Sequence, residues 1–132
     1  MNELKGTIEK VSSHGNLMLV LVRVGDLLFK SIEIESPEAA KGLEPGSPIN
    51  VLFKETEVII ATGEVSPISL QNRIPGTVKS VEEGAFIAKL TIASEVGDIE
   101  SIITTKAVHD LKAFPGAKVT ALIKTNEIML GT

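Results

Sequence analysis

The chain has 132 residues, of which 43% are hydrophobic, so it is long enough for one ordinary domain or two very small ones with a buried core. Thirteen basic and 17 acidic residues give a net charge of −4, and this charge, together with only four phenylalanines and neither tyrosine nor tryptophan, argues against a nucleic-acid-binding protein. Cysteine is absent, which excludes disulfides, zinc knuckles and thiolate nucleophiles.

The first half of the chain predicts strands and one helical turn. Residues 17–24 are almost continuously apolar, which indicates a strand. Residues 36–42 read Ser-Pro-Glu-Ala-Ala-Lys-Gly, and a serine N-cap, an early proline and a closing glycine predict a short helix. Residues 49–54 and 58–61 are β-branched runs between polar turns and predict two more strands.

The second half predicts the same order of elements. In residues 86–93 apolar and polar side chains alternate, which predicts a strand whose buried face begins with Phe86. Residues 105–112 predict a second short helix with a threonine N-cap and a lysine in its last turn. Residues 119–124 and 128–130 predict the closing strands.

An internal repeat relates the two halves at an offset of 70 residues. Residues 45–62 and 115–132 align without a gap, and six of the 18 positions are identical. The segment 65–71 contains a proline and two serines and is typical of a linker. The six identical pairs are Pro45/Pro115, Gly46/Gly116, Leu52/Leu122, Lys54/Lys124, Glu57/Glu127 and Thr62/Thr132.

These elements predict an all-β fold class with one short helix per repeat, arranged as two tandem OB-like β-barrels. Residues 1–64 form the first unit, residues 65–71 are a linker that leads into the first strand of unit two, and residues 72–132 form the second unit. A barrel of about 65 residues has only marginal stability alone. We therefore expect the two copies to pack together or the chain to form an oligomer.

The sequence shows no arrangement that is typical of an enzyme. His14 and His109 lie in different repeats without a counterpart at the offset of 70, which favours surface histidines. Ser12 and Ser13 precede His14 directly, but adjacent residues on a strand point apart and no acid orients the imidazole. Spacings typical of His or Cys metal ligands are absent. We expect neither catalysis nor a metal ion.

One group of residues has the chemistry of a small oxyanion site. Residues 101–105 end in two threonines at a predicted helix start, and Lys124 lies at the end of a later strand. Hydroxyls and free N–H groups donate hydrogen bonds, and a lysine adds positive charge. The first repeat has Lys54, but an isoleucine and a glutamate replace the two threonines. From these residues alone, helix capping and solvent-exposed lysines are the favoured interpretation.

Four segments resemble motifs of the molybdate-binding Mop domain (molbindin, TOBE-type). Residues 69–78 (SLQNRIPGTV) resemble its S-A-R-N-Q-x-x-G-x-V opening, and residues 81–85 (VEEGA) are similar to its V-x-x-G-A segment. Residues 101–104 (SIIT) and 121–124 (ALIK) resemble two of its strand ends. The likeness is strongest over residues 69–132 and weaker over residues 1–62, so the whole chain resembles a di-Mop molbindin.

The resemblance implies an OB-like unit that forms oligomers and binds molybdate or tungstate at interfaces between units. Two-unit members of the family typically act as trimers that store or buffer the oxyanion in the cytoplasm. The family's binding positions, carried over residue by residue, fall on Ser69, Asn72, Thr104 and Lys124 in the second unit and on Asn2 and Lys54 in the first.

The chain departs from the family pattern at several positions. Gln71 replaces the family's arginine and removes a positive charge, and Arg73 is not a substitute because it would point to the opposite face of a strand. Ala107 stands where a serine is often found, and the first unit has no counterpart of the Ser-Ala-Arg stretch. The resemblance therefore leaves the number and affinity of sites open.

We expect a cytoplasmic protein that stores molybdate or tungstate without catalysis or a cofactor, as a homo-oligomer with a homotrimer favoured. The alternative is an oxyanion-sensing or protein-interaction module whose anion sites are weakened or lost. An oligonucleotide-binding OB protein is disfavoured by the acidic charge. No apolar run is long enough for a membrane span and no signal-peptide pattern is present, so we expect no membrane or nucleic-acid partner.

Overall fold

The computed structural model describes residues 1–36, 42–65 and 67–131, and most of these residues lie in strands. Besides the strands, this part of the chain has one α-helix, α1 (Thr105–Leu111), and two 3₁₀ turns (Glu55–Glu57 and Thr125–Glu127). The helix predicted at 36–42 falls largely outside the described residues. The strands are β1 (Asn2–His14), β2 (Leu17–Val24), β3 (Leu27–Ile34), β4 (Pro48–Phe53), β5 (Ile59–Ala61), β6 (Asn72–Glu83), β7 (Ile87–Ser94), β8 (Gly97–Thr104), β9 (Lys118–Ile123) and β10 (Met129–Gly131).

The strands form two five-stranded antiparallel sheets, which confirms the all-β prediction. The first sheet has the order β10-β4-β1-β2-β3 and the second has the order β5-β9-β6-β7-β8. β1 and β6 each pair with two neighbours, and the register shifts at Ile8/Lys10 in β1 and at Val78/Ser80 in β6. Such irregularities bend a strand and increase its twist, so they curl each sheet toward a barrel.

Each sheet takes one edge strand from the other repeat. β5 of the first repeat pairs with β9 in the second sheet, and β10 of the second repeat pairs with β4 in the first sheet. The chain thus crosses between the sheets at residues 54–58, here named the first crossover, and at residues 124–128, the second crossover. The division of the repeats into residues 1–64, 65–71 and 72–132 stays a prediction.

The core is one continuous apolar cluster that extends through both sheets. The strand predicted at 17–24 is confirmed as β2, but its burial alternates, so Leu17 and Leu19 face outward. The prediction for Phe86 is wrong, because β7 begins one residue later and the Phe86 side chain is 85% exposed. Burial on β7 alternates from Ala88 onward instead.

The helix predicted at 105–112 is confirmed and begins at Thr105. Thr104 is its N-cap, and its Oγ1 accepts a hydrogen bond of 3.0 Å from the backbone N–H of Ala107. Lys112 ends the helix in the left-handed region with φ of 53°. Among the residues described, no helix is long and apolar enough to cross a membrane.

Candidate functional site

A buried asparagine fastens the second sheet to an edge strand of the first. The Asn72 side chain is fully buried, and its Oδ1 accepts a hydrogen bond of 2.7 Å from the backbone N–H of Lys30 in β3. Its Nδ2 donates a bond of 2.9 Å to the Lys30 carbonyl. The carboxamide therefore acts as a substitute for one residue of a neighbouring strand, and it satisfies both backbone groups of Lys30.

The same contact occurs in the other direction at the offset of 70. Asn2 accepts a hydrogen bond of 2.9 Å from the N–H of Glu100 in β8 and donates one of 2.8 Å to its carbonyl. We call each of these asparagine contacts a clamp, and Lys30 and Glu100 the clamped residues. Two buried serines next to the clamped residues contact carbonyls of the crossovers. Ser101 Oγ donates to the Val58 carbonyl at 2.9 Å. Ser31 Oγ has two acceptors for its one hydrogen, Glu33 Oε1 at 2.9 Å and the Ile128 carbonyl at 3.3 Å.

Each crossover begins with one of the two lysines predicted to bind an anion. The carbonyls of Lys54 and Lys124 accept hydrogen bonds of 3.0 Å within the 3₁₀ turns that follow, and both side chains are exposed. Neither ammonium group forms an ion pair with a described residue. In the strand register, Asn2 pairs with the residue before Lys54, and Asn72 pairs with the residue before Lys124. One predicted asparagine and one predicted lysine therefore lie close together at each crossover.

Ser69 lies on the segment that leads into β6. Its side chain is exposed, three residues before Asn72. Arg73 holds this segment, because its guanidinium donates hydrogen bonds to the Leu70 carbonyl at 2.9 Å, to the Ile68 carbonyl at 3.1 Å and to the Val65 carbonyl. Arg73 is thus engaged by backbone oxygens and does not replace the charge that is missing at position 71.

Thr104 lies far from Lys124 within the chain. Thr104 pairs with Ile87, which lies beside the end of the 12-residue strand β6. Lys124 lies near the start of β6, because the residue before it pairs with Asn72. The Thr104 hydroxyl oxygen accepts the N-cap bond, which leaves the hydroxyl hydrogen available to donate. One chain therefore does not bring Thr104 and Lys124 together.

The two histidines lie at the surface. His109 Nε2 contacts a carboxylate oxygen of Glu83, and its ring packs edge-on against Phe114 with 5.3 Å between centroids. His14 is exposed near the end of β1. Within the ranges that the structure covers, no cluster of three or more His, Cys, Asp or Glu residues is arranged to hold a metal ion.

The outer face of the first sheet carries four exposed apolar side chains. Leu17 and Leu19 of β2 pair directly with Ile34 and Ile32 of β3, and their exposed fractions are 47%, 39%, 70% and 41% in that order. A cavity of about 340 Å³ is lined by three of them, Leu17, Leu19 and Ile32. We call these four residues the apolar face. Sequence reasoning missed it, because in a nearly continuous apolar run no alternation shows which side chains face outward.

An open groove of about 660 Å³ lies on the outer side of the second sheet. Its lining includes hydroxyls of Thr77 and Thr120 and one cation, Lys118, but also the carboxylate of Glu95. This charge balance does not suit a dianion, and none of the predicted binding residues lines the groove.

The chain shares its domain type with known proteins. A model of the TOBE domain family matches residues 68–130. Molybdenum-pterin-binding protein 3 of Clostridium pasteurianum is 33% identical over 64 residues, which are 48% of this chain and 94% of that protein. This chain belongs to the Mop family of TOBE domains. The family assignment made from the four motifs is confirmed.

A two-unit Mop architecture is seen in a solved structure of similar size. The cytoplasmic molybdate-binding protein ModG, in a crystal form with molybdate bound, is 29% identical and superimposes with a TM-score of 0.92. The match covers 99% of this chain and 95% of the ModG chain. The near-complete coverage confirms two OB-like units for this Mop-family chain.

A longer relative matches most of this chain. The molybdenum import ATP-binding protein ModC of Rhizobium etli is 28% identical over 125 residues, which are 92% of this chain and 32% of ModC. The present chain therefore spans about a third of the length of that relative.

The six predicted binding residues of this Mop-family chain fall into three groups. Asn2 and Lys54 lie at the first crossover, Asn72 and Lys124 lie at the second with Ser69 three residues before Asn72, and Thr104 lies apart. The sequence analysis did not predict that the side chains of the two asparagines bind backbone groups of the opposite sheet. A usable signal was present, because strand alternation puts Asn72 on the same inward face as Ile74, where a polar side chain needs protein partners.

Proposed function

We propose that this Mop-family chain binds molybdate or tungstate as an intact oxyanion, without catalysis and without a cofactor. The observation that carries the proposal is the second crossover, where the exposed Lys124 forms no ion pair with a described residue and directly follows the strand residue that pairs with Asn72. The close superposition on molybdate-bound ModG supports the same ligand class.

The donor set suits a tetrahedral dianion. An oxyanion that leaves water needs hydrogen-bond donors and positive charge in place of its hydration shell. Lys124 supplies the charge, and Ser69 and Thr104 supply hydroxyl donors. Asn72 has its carboxamide bound to Lys30, so we assign it the task of holding the backbone of the site in position. Selection against sulfate, also a tetrahedral dianion, then depends on the size of the site.

A site that uses both Lys124 and Thr104 needs a second copy of the chain. The two residues lie at opposite ends of β6, so Thr104 would come from a neighbouring subunit. The apolar face supports association, because four paired apolar side chains exposed to water favour burial in an interface. We propose a homo-oligomer, with a homotrimer favoured by the resemblance, that binds the anion at interfaces between units.

Storage or homeostasis of the oxyanion in the cytoplasm is the proposed cellular role, and the description of ModG as cytoplasmic supports it. The alternative is a sensing or interaction module with weakened anion sites. Gln71 favours this alternative, because the family's arginine is replaced by a neutral side chain and Arg73 is engaged elsewhere.

Isothermal titration calorimetry with molybdate tests the proposal. We expect binding by the unaltered protein and at least about tenfold weaker binding by Lys124→Ala, since a charge-assisted contact to the anion is lost. Lys10→Ala is the matched control, because Lys10 is exposed on β1 outside both crossovers. Absence of molybdate binding, or equal binding of sulfate, would contradict the proposed function and favour the interaction module.

A further inference from the structure

The two crossovers share a backbone frame but differ in charge. The asparagine clamp, the serine bond and the crossover lysine recur at the offset of 70. The residues around this frame do not recur. The charged positions that differ, with the first crossover named before the second, include Glu100/Lys30, Glu3/Arg73, Glu55/Thr125, Lys89/Leu19 and, in the opposite sense, Ile103/Glu33.

Carboxylates surround the first crossover. Glu100, clamped by Asn2, has its carboxylate 3.9 Å from the Lys89 ammonium, which also lies 3.7 Å from a Glu82 carboxylate oxygen. The pKa of Glu55 is lowered first by a hydrogen bond from the amino terminus, then by a backbone hydrogen bond, and also by the charge of Lys89. Glu55 and Glu100 therefore both face Lys89, and its positive charge is already balanced.

The second crossover has a cation at the equivalent place, and one carboxylate lies near it, that of Glu33, which accepts a hydrogen bond of 2.9 Å from Ser31 Oγ. Lys30, clamped by Asn72, stands at the position of Glu100 and forms no ion pair among the described side chains. Thr125 replaces the carboxylate of Glu55. The Asn72 side chain bonds the backbone of Lys30, and the Asn72 backbone pairs with the residue before Lys124. Two lysines therefore lie on either side of this clamp. The side chains of Lys30 and Lys124 both extend from residues next to the Asn72 clamp.

We propose that only the second crossover binds the oxyanion, that Lys30 is an additional anion-binding residue there, and that Glu100 excludes anions from the first crossover. This inference rests on the proposed function and assigns its site. The charge at the clamped position decides between the crossovers, because reversing a unit charge near a dianion changes affinity on the order of 10- to 100-fold at low ionic strength.

Exchange of the two clamped residues tests the proposal. We expect one molybdate per chain in the unaltered protein, counted by calorimetry at low ionic strength. Glu100→Lys should bind a second molybdate, more weakly than the first because Ser69 and Thr104 have no hydroxyl counterparts in the first repeat, and Lys54→Ala should then remove it. In the double variant Lys30→Glu/Glu100→Lys the site should move, so that Lys54→Ala abolishes binding and Lys124→Ala has little effect. Lys30→Glu alone should weaken binding at least about tenfold.

Glu44→Lys is the matched control, because it makes the same charge change at an exposed residue before β4, away from the first crossover at the end of that strand. It should keep one molybdate per chain at unchanged affinity. Two molybdates per unaltered chain, or no second molybdate in Glu100→Lys, would overturn this proposal but leave the proposed function intact. No binding by the unaltered protein would instead refute the proposed function.

Discussion

The asparagine clamp at the second crossover gives the most direct stability prediction. Replacing Asn72 by alanine removes two hydrogen bonds, of 2.7 and 2.9 Å, between its side chain and the backbone of Lys30. The side chain is fully buried, so water does not replace it without a change in packing. The N–H and carbonyl of Lys30 then lose their partners at the edge of the first sheet.

The magnitude follows from these contacts. A backbone group left without a partner in a buried site costs about 1–3 kcal/mol. Two such groups, partly relieved by local movement, predict a loss of about 2–4 kcal/mol in the free energy of unfolding. For a chain of this length, that corresponds to a fall in melting temperature of roughly 7–14 °C.

Urea and thermal unfolding followed by circular dichroism measure this loss. Asn126→Ala is the matched control, since its side chain is exposed on a turn, and it should change stability by less than about 0.5 kcal/mol. Asn2→Ala should resemble Asn72→Ala, because its clamp on Glu100 has the same geometry. A loss below about 0.5 kcal/mol for Asn72→Ala would refute the clamp as a stabilising contact.

Three further predictions concern binding and packing. Lys124→Ala should weaken molybdate binding more than Lys54→Ala, and equal losses in calorimetry would contradict a single site at the second crossover. Gly76→Ala should destabilise the protein by about 1–3 kcal/mol in urea, because a Cβ there would meet a side-chain carbon at 2.5 Å and a carbonyl oxygen at 2.6 Å on β7. Ser101→Ala should cost about 1 kcal/mol in the same assay by removing its bond to the Val58 carbonyl, and an unchanged midpoint would argue against that bond.

The sequence predicted the architecture well but not the exchange of strands. The offset of 70 identified two similar units, and β-branched runs located most strands. The closing runs at 58–61 and 128–130 have the same apolar pattern, so either one fits the edge of either sheet. Only the path of the chain through the two crossovers decides the pairing, and this path depends on tertiary contacts.

The candidate site was predicted less completely than the fold. The resemblance selected Lys124, which follows the strand residue that pairs with Asn72, but it did not reveal that the Asn72 side chain is bound to backbone. The charge difference between Lys30 and Glu100 could not be connected with anion binding from the sequence. Only the two clamps show that these residues occupy equivalent places. Contacts between distant segments carry such information, and local patterns do not.

Native mass spectrometry of the purified protein, titrated with molybdate and with sulfate at equal concentration, tests the central proposal most directly. It measures oligomer size and the number of bound anions in one spectrum. We predict a homo-oligomer that takes up a fixed number of molybdates and no sulfate. A monomer, an oligomer without bound anion, or equal uptake of sulfate would contradict the proposal of an oxyanion-binding assembly.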